Sequence, residues 1–148
     1  MLADLGVRIV TQPTLLTERG DDYIRYVSPE DVPHLYPHAS LLAHGIPVAA
    51  SSDAPYGDPD PWTSIAAANT RRTRSGRILS PAERVDARTA LNGYLSAPHD
   101  PGGPARDIAP GRLADLCLLS VPLHEALSRP TADHVALVLR DGRIIHAR

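Results

Sequence analysis

The sequence predicts an α/β fold, and three observations carry that expectation. Two short apolar runs, residues 7–11 and 46–50, read as strands joined by a connection with helix signals. Two helix patterns follow, one opened by Asp60-Pro61 and one by Ser80-Pro81. Near the end, Asp141-Gly142 sits between two apolar runs, the strongest short-range signal of a β-hairpin.

Each element can be justified in order. Met1-Leu2-Ala3-Asp4-Leu5-Gly6 reads either as the last turn of a helix closed by glycine or as a short N-terminal turn. Residues 7–11 form the first strand, which stops at Gln12-Pro13, and a polar loop through Glu18-Arg19-Gly20-Asp21-Asp22 is expected next. Ser28-Pro29-Glu30-Asp31 is a helix-start signal, with serine as N-cap, proline in the first turn and acids that suit the helix dipole. Val32, Leu35, Tyr36 and Ala39 keep helical spacing, but Pro37 should divide them into two short pieces, the second ended by Gly45. Residues 46–50 are almost continuously apolar, as in a parallel strand covered on both faces, and the connection is long enough for a right-handed crossover.

Asp60-Pro61 opens the next helix with aspartate as N-cap, and Trp62, Ile65, Ala66 and Asn69 share its inner face. Arg71, Arg72, Arg74 and Arg77 fall at or beyond its end, where cations suit the dipole. Ser80-Pro81-Ala82-Glu83 reads as a capping box for a helix whose core-facing stripe is Ala87, Ala90, Leu91, Tyr94 and Leu95. Residues 97–110 are rich in proline and glycine and mark a boundary. A short buried strand over residues 113–119 and a hairpin of residues 134–139 and 143–146 complete the chain. The expected division is a first domain over residues 1–100 and a second over residues 101–148.

Composition narrows the function classes. The 148 residues suit one ordinary domain, and 43% hydrophobic content is enough for a core. A formal net charge of -2 gives no basic footprint for nucleic acid. All 15 basic residues are arginine, so a P-loop lysine, a Schiff-base lysine and a carboxylated lysine bridging two metals are excluded. The single cysteine, Cys117, permits no internal disulfide, and neither a signal peptide nor a membrane span is legible, so a cytoplasmic setting is expected.

The candidate for chemistry is Asp53, at the end of the apolar run 46–50 and beside Ser51 and Ser52. A carboxylate there reads as a metal ligand or general base, or else as a turn residue whose side chain caps its own loop. Asp60 reads as an N-cap rather than a ligand. The seven histidines form no ligand pattern; His34 and His38 are four apart, but Pro37 between them makes a shared helical face unreliable. The arginine cluster reads either as an anion site or as a solvated helix end, and Cys117 as a buried core thiol. No GxSxG, HExxH, HxH, CxxC or GxGxxG signature occurs.

Several stretches, in order, resemble the C-terminal part of amidohydrolase-superfamily enzymes, and in particular amidohydrolase family 3, the group that includes N-substituted formamide deformylase-like proteins. They are Leu5-Gly6-Val7 with Gln12-Pro13, Leu35-Tyr36-Pro37, and Gly45-Ile46-Pro47-Val48-Ala49 with Ser52-Asp53-Ala54-Pro55. Asp60-Pro61, Thr70-Arg71, Pro110-Gly111-Arg112-Leu113-Ala114-Asp115-Leu116 and Asp141-Gly142-Arg143-Ile144 continue the series. The resemblance implies a metal-dependent hydrolase of non-peptide carbon–nitrogen bonds acting on a small amide-type substrate, with a divalent metal, zinc by expectation. It implies the last part of a TIM-like barrel, about two β/α units, followed by a small segment of a β-sandwich. By motif match Asp53 is the aspartate ending the last barrel strand, both a metal ligand and the group that takes a proton from the attacking water.

The family's HxH motif, its metal-bridging lysine or glutamate and its later histidines all precede the matching region. The chain alone is therefore expected to lack hydrolase activity and to work as part of a larger enzyme. The alternative is a non-catalytic interaction module that complements a separate barrel chain or pairs with a second copy through open strand edges. No nucleic-acid or membrane partner is expected.

Overall fold

The computed structural model describes residues 3–148, which form two compact units: one ends at Arg106 and the other spans Asp107–Arg148. Met1 and Leu2, part of the expected opening turn, lie outside the described residues.

The first unit is built on a parallel pair of strands. β1 (Ile9–Thr11) and β2 (Val48–Ala50) run side by side with Ile9 opposite Val48 and Thr11 opposite Ala50. Val48 and Ala49 are buried, as an apolar run between two covered faces should be. Before β1, Ala3–Leu5 is a single 3-10 turn, and the Gly6 amide closes it on the Ala3 carbonyl.

The polar loop expected after β1 is instead a helix, α1 (Thr14–Tyr26). Its charged residues mislead because the buried face is narrow: Thr14, Leu15, Leu16 and Gly20 face inward while Glu18, Arg19, Asp21 and Asp22 stay outside. The Asp21 carboxylate is also used in tertiary structure, accepting hydrogen bonds from Thr73 Oγ1 and from the Ser75 amide and hydroxyl, and pairing with Arg77 at 2.9 Å. These bonds hold it well below the usual carboxylate range against the opposing effect of desolvation.

The connection to β2 holds two short helical pieces, as Pro37 requires. One is a 3-10 turn at Val32–His34, the other α2 (Ala39–Ala43). The start signal at Ser28 serves a turn rather than an α-helix: Ser28 Oγ donates to Asp31 Oδ2 at 2.9 Å.

Beyond β2, α3 (Pro61–Thr70) begins where Asp60 Oδ1 accepts from the Trp62 amide at 2.9 Å. Its buried set, Trp62, Ser64, Ile65, Ala67 and Ala68, shares only Trp62 and Ile65 with the expected stripe; Ala66 and Asn69 are half-buried, because α3 packs against both α1 and α4 and its buried face is turned accordingly. The Ser80 capping box does not form. Ser80 is left-handed (φ 46°), its hydroxyl donates to the Val32 carbonyl at 2.6 Å, and residues Pro81–Glu83 make only a 3-10 turn. The helix that follows, α4 (Ala87–Leu95), is capped by Asp86, which accepts from the Thr89 amide and hydroxyl, each at 2.9 Å. α4 packs on β2.

The second unit is a three-stranded antiparallel sheet in the order β3 (Leu116–Leu119), β4 (Val135–Arg140), β5 (Arg143–Ala147). The hairpin turn has Asp141 at φ 50° and Gly142 at φ 73°, the two left-handed residues that a tight two-residue turn requires. A short helix unforeseen from the sequence, α5 (Leu123–Ser128), joins β3 to β4 and buries Ala126. β3 is not the buried strand expected: Leu118 is 58% exposed, and Cys117 is an exposed thiol rather than a core one. Among the described residues no helix is long and apolar enough to cross a membrane.

Candidate active site

The loop after β2 shows which groups of Asp53 the turn uses. The Ser51 amide donates to the Thr11 carbonyl at 2.9 Å, extending the strand pairing by one residue. Ser52 Oγ then accepts from the Ala54 amide at 3.2 Å, so the side chain that caps this turn is serine, not aspartate. Asp53 contributes its backbone: its carbonyl accepts from the Tyr56 and Gly57 amides at 2.9 and 3.1 Å, with φ at 57°. Gly57 is buried against this turn, and any side chain there would run into the Ser52 carbonyl.

Three aspartates lie in this loop, and two are occupied. Asp58 Oδ1 accepts from the Asp60 amide at 2.9 Å, and Asp60 caps α3 while also accepting from Thr63 Oγ1 at 3.3 Å. Glu18 of α1 accepts from the Asp58 amide at 3.1 Å, tying the loop to the helix after β1. The Asp53 carboxylate is exposed and makes no hydrogen bond or ion pair among the described residues. It is therefore a hard oxygen donor held on an ordered turn at the mouth of a parallel strand pair, with its lone pairs available.

The same unit holds groups that sequence reasoning passed over. The hydroxyls of Tyr23 and Tyr36 are 2.8 Å apart and their rings are 5.7 Å between centroids. Burial first, then the Tyr23 hydrogen bond, then the charges of Tyr23, Tyr56 and Asp53, push the Tyr36 phenol far above its ordinary range, so it stays protonated at any physiological pH. The Arg19 guanidinium lies over the Tyr56 ring, 5.0 Å from its centroid. Apart from its helical spacing with Val32, Leu35 and Ala39, the sequence signal for Tyr36 was the Leu35-Tyr36-Pro37 match; nothing marked Tyr23.

Arg71 departs furthest from its sequence reading. It is the left-handed C-cap of α3 but only 1% exposed, so it is neither a solvated helix end nor an open anion site. Its guanidinium donates to the carbonyls of Leu79 (2.8 Å), Leu35 (2.9 Å), Tyr36 (3.2 Å) and Glu83 (3.2 Å). Burial, with Arg84 adding to it and Glu83 opposing, draws its pKa down to about 10, which leaves it charged at neutral pH.

The histidines do not converge. His38 is buried at 3% exposure whereas His34 is exposed, and His44 Nδ1 lies 2.7 Å from the Ser40 carbonyl in the last turn of α2. Among the described residues no group of three His, Cys, Asp or Glu side chains is close enough to hold a metal ion. Asp53 thus fits a metal as one oxygen donor, without a full donor set around it.

The family model for amidohydrolases matches residues 1–146. This chain belongs to the amidohydrolase family. An amidohydrolase relative, N-substituted formamide deformylase of Arthrobacter pascens, is 33% identical over 127 residues, a match covering 80% of this chain and 22% of that enzyme. The chain spans about a fifth of the length of that relative. A crystal structure of an uncharacterised metal-dependent hydrolase from Pyrococcus furiosus matches 63% of this chain and 18% of its own, with 29% identity and a TM-score of 0.49.

Proposed function

We propose that this sequence is part of a metal-dependent hydrolase that cleaves non-peptide carbon–nitrogen bonds in small amides, with Asp53 as its contribution to the reacting centre. The observation that carries this reading is the state of Asp53: of three aspartates in the loop, it alone has a carboxylate not consumed by local structure. In a family of amide hydrolases such a group is suited to hold a divalent cation, zinc by first choice, and to accept a proton. A bound divalent cation would supply Lewis acidity, lowering the pKa of a water and polarising the amide carbonyl. Asp53 would serve as the proton carrier, accepting a proton from the attacking water at a carboxylate oxygen and returning it to the departing amine nitrogen. The Tyr36 hydroxyl, kept protonated by burial and bonded to the Tyr23 hydroxyl, is a further polar group of the same unit.

A catalytic zinc site takes three protein ligands, so Asp53 acts in a larger enzyme, and this chain alone is inactive under the proposal. Residues 1–100 would then be the last two β/α units of a TIM-like barrel, a fold that needs eight strands and ~250 residues, and residues 101–148 part of an accessory β-sandwich. Support for a complementary barrel chain, or a second copy, as the supplier of the remaining strands comes from the two-strand sheet: neither outer edge of β1–β2 pairs with another strand among the described residues.

The test is metal-dependent hydrolysis of N-substituted formamides and related amides by the complete enzyme that carries this sequence. Dialysis against a chelator should abolish amine release, and a divalent metal should restore it. Chelator-resistant turnover, or no turnover of any such amide by the metal-loaded enzyme, would overturn the proposal.

A further inference from the structure

The segment that presents Tyr36 is held by two buried residues, Arg71 at the C-terminal end of α3 and Glu83 in the 3-10 turn that follows. Tyr36 is left-handed, with φ at 51°, a conformation that is unfavourable for a residue with a side chain. Something must stabilise it, and Pro37, which has no N–H, leaves fewer groups to do so. Arg71 takes the carbonyls of Leu35 and Tyr36, and is itself fixed by the carbonyls of Leu79 and Glu83. Glu83 Oε2 takes the amides of His38 (2.8 Å) and Ser40 (3.0 Å). Burial works against the Glu83 carboxylate, but the Ser40 and His38 hydrogen bonds and the Arg71 charge outweigh it and keep its pKa low, so these are charge-assisted bonds.

We propose that Arg71 and Glu83 are positioning residues that clamp the backbone of residues 35–40 from both sides of Pro37 and thereby fix the Tyr36 hydroxyl in its place against that of Tyr23. One residue holds carbonyls before Pro37 and the other holds amides after it. Neither is replaceable by an apolar side chain of equal volume, because the groups they satisfy are backbone dipoles that would be left without partners. A catalytic consequence rests on the reading of Asp53 given above; the clamp itself does not.

The experiment is nitration of the folded chain with tetranitromethane, scored at each tyrosine by peptide mass mapping. Tyr26 and Tyr56, 72% and 58% exposed, should react readily in the parent, while Tyr36 and the half-buried Tyr94 of α4 resist. Arg71→Met and Glu83→Ala should each raise the rate at Tyr36 at least tenfold and leave Tyr94 unchanged. Glu83→Gln, which keeps an oxygen acceptor for the two amides, should recover most of the resistance. Asp53→Asn should leave the pattern as in the parent, so failure of the Asp53 reading is seen separately. The proposal is overturned if Tyr36 stays resistant in both clamp variants. It is equally overturned if Tyr36 and Tyr94 lose resistance together in both, since the two residues would then support the unit as a whole rather than the segment.

Discussion

Replacing Arg71 with methionine keeps most of the aliphatic stem and removes the guanidinium from a site that is only 1% exposed. Four carbonyls, from Leu35, Tyr36, Leu79 and Glu83, lose their donor at once. An unsatisfied buried acceptor costs ~1–3 kcal/mol, but the four share one side chain and can relax together, and the variant no longer desolvates a charge. Removal of one partner from a buried charged network costs about 3–5 kcal/mol, and that is the expected loss. At roughly 4–8 °C per kcal/mol for a unit of this size, the melting temperature should fall by at least about 12 °C. The comparison is Arg77→Met, because the Arg77 side chain is 52% exposed and pairs with Asp21 on the surface. Exposed pairs are worth up to about 1 kcal/mol. Urea denaturation of both variants measures the difference directly. Equal losses for Arg71→Met and Arg77→Met would refute the view of Arg71 as a buried structural cation.

Further outcomes follow from individual contacts. Asp86→Ala should cost about 1 kcal/mol by removing the N-cap of α4, whereas Ser80→Ala should remove only the bond to the Val32 carbonyl; far-UV helicity during denaturation distinguishes them. His38 has its pKa lowered, first by burial and then by the Arg71 charge, with Glu83 opposing. An unfolded histidine titrates near ~6.5, so as pH falls below that value the unfolded chain gains a proton that the folded chain resists, and stability declines. His38→Gln should flatten the melting temperature between about pH 6.5 and 5; parallel profiles for the two proteins would refute this origin.

What could be read from the sequence was local. Asp60-Pro61 and Asp141-Gly142 encode their own conformations within a few residues, and the structure shows the expected cap and turn at both. The parallel pair β1–β2 was legible because an unbroken apolar run suits burial on two faces. The errors arise where tertiary contacts override local signals. Asp21 looked like loop polarity but is bonded to residues more than fifty positions away. Ser80 and Glu83 have capping-box spacing, yet their side chains serve the Val32 carbonyl and the His38 and Ser40 amides instead. Arg71 had the sequence context of a solvated helix end, and only the fold reveals the carbonyls that justify burying it. For Asp53, pattern alone favoured a turn residue over a functional carboxylate, and only the family resemblance pointed to the second. The structure adds that Ser52, not Asp53, supplies the side chain that caps this turn, which leaves the aspartate carboxylate without a hydrogen-bond partner among the described residues.

The central claim is that Asp53 performs proton transfer in an amide hydrolase. Its most direct test is kcat/KM for a metal-dependent amide substrate, measured on the complete enzyme with and without Asp53→Asn. The substitution keeps the size of the side chain and leaves no hydrogen bond of the described residues broken. Loss of a general base predicts a fall of ~10²–10⁴ with the melting temperature unchanged. Activity within tenfold of the parent at an unchanged fold would contradict the account.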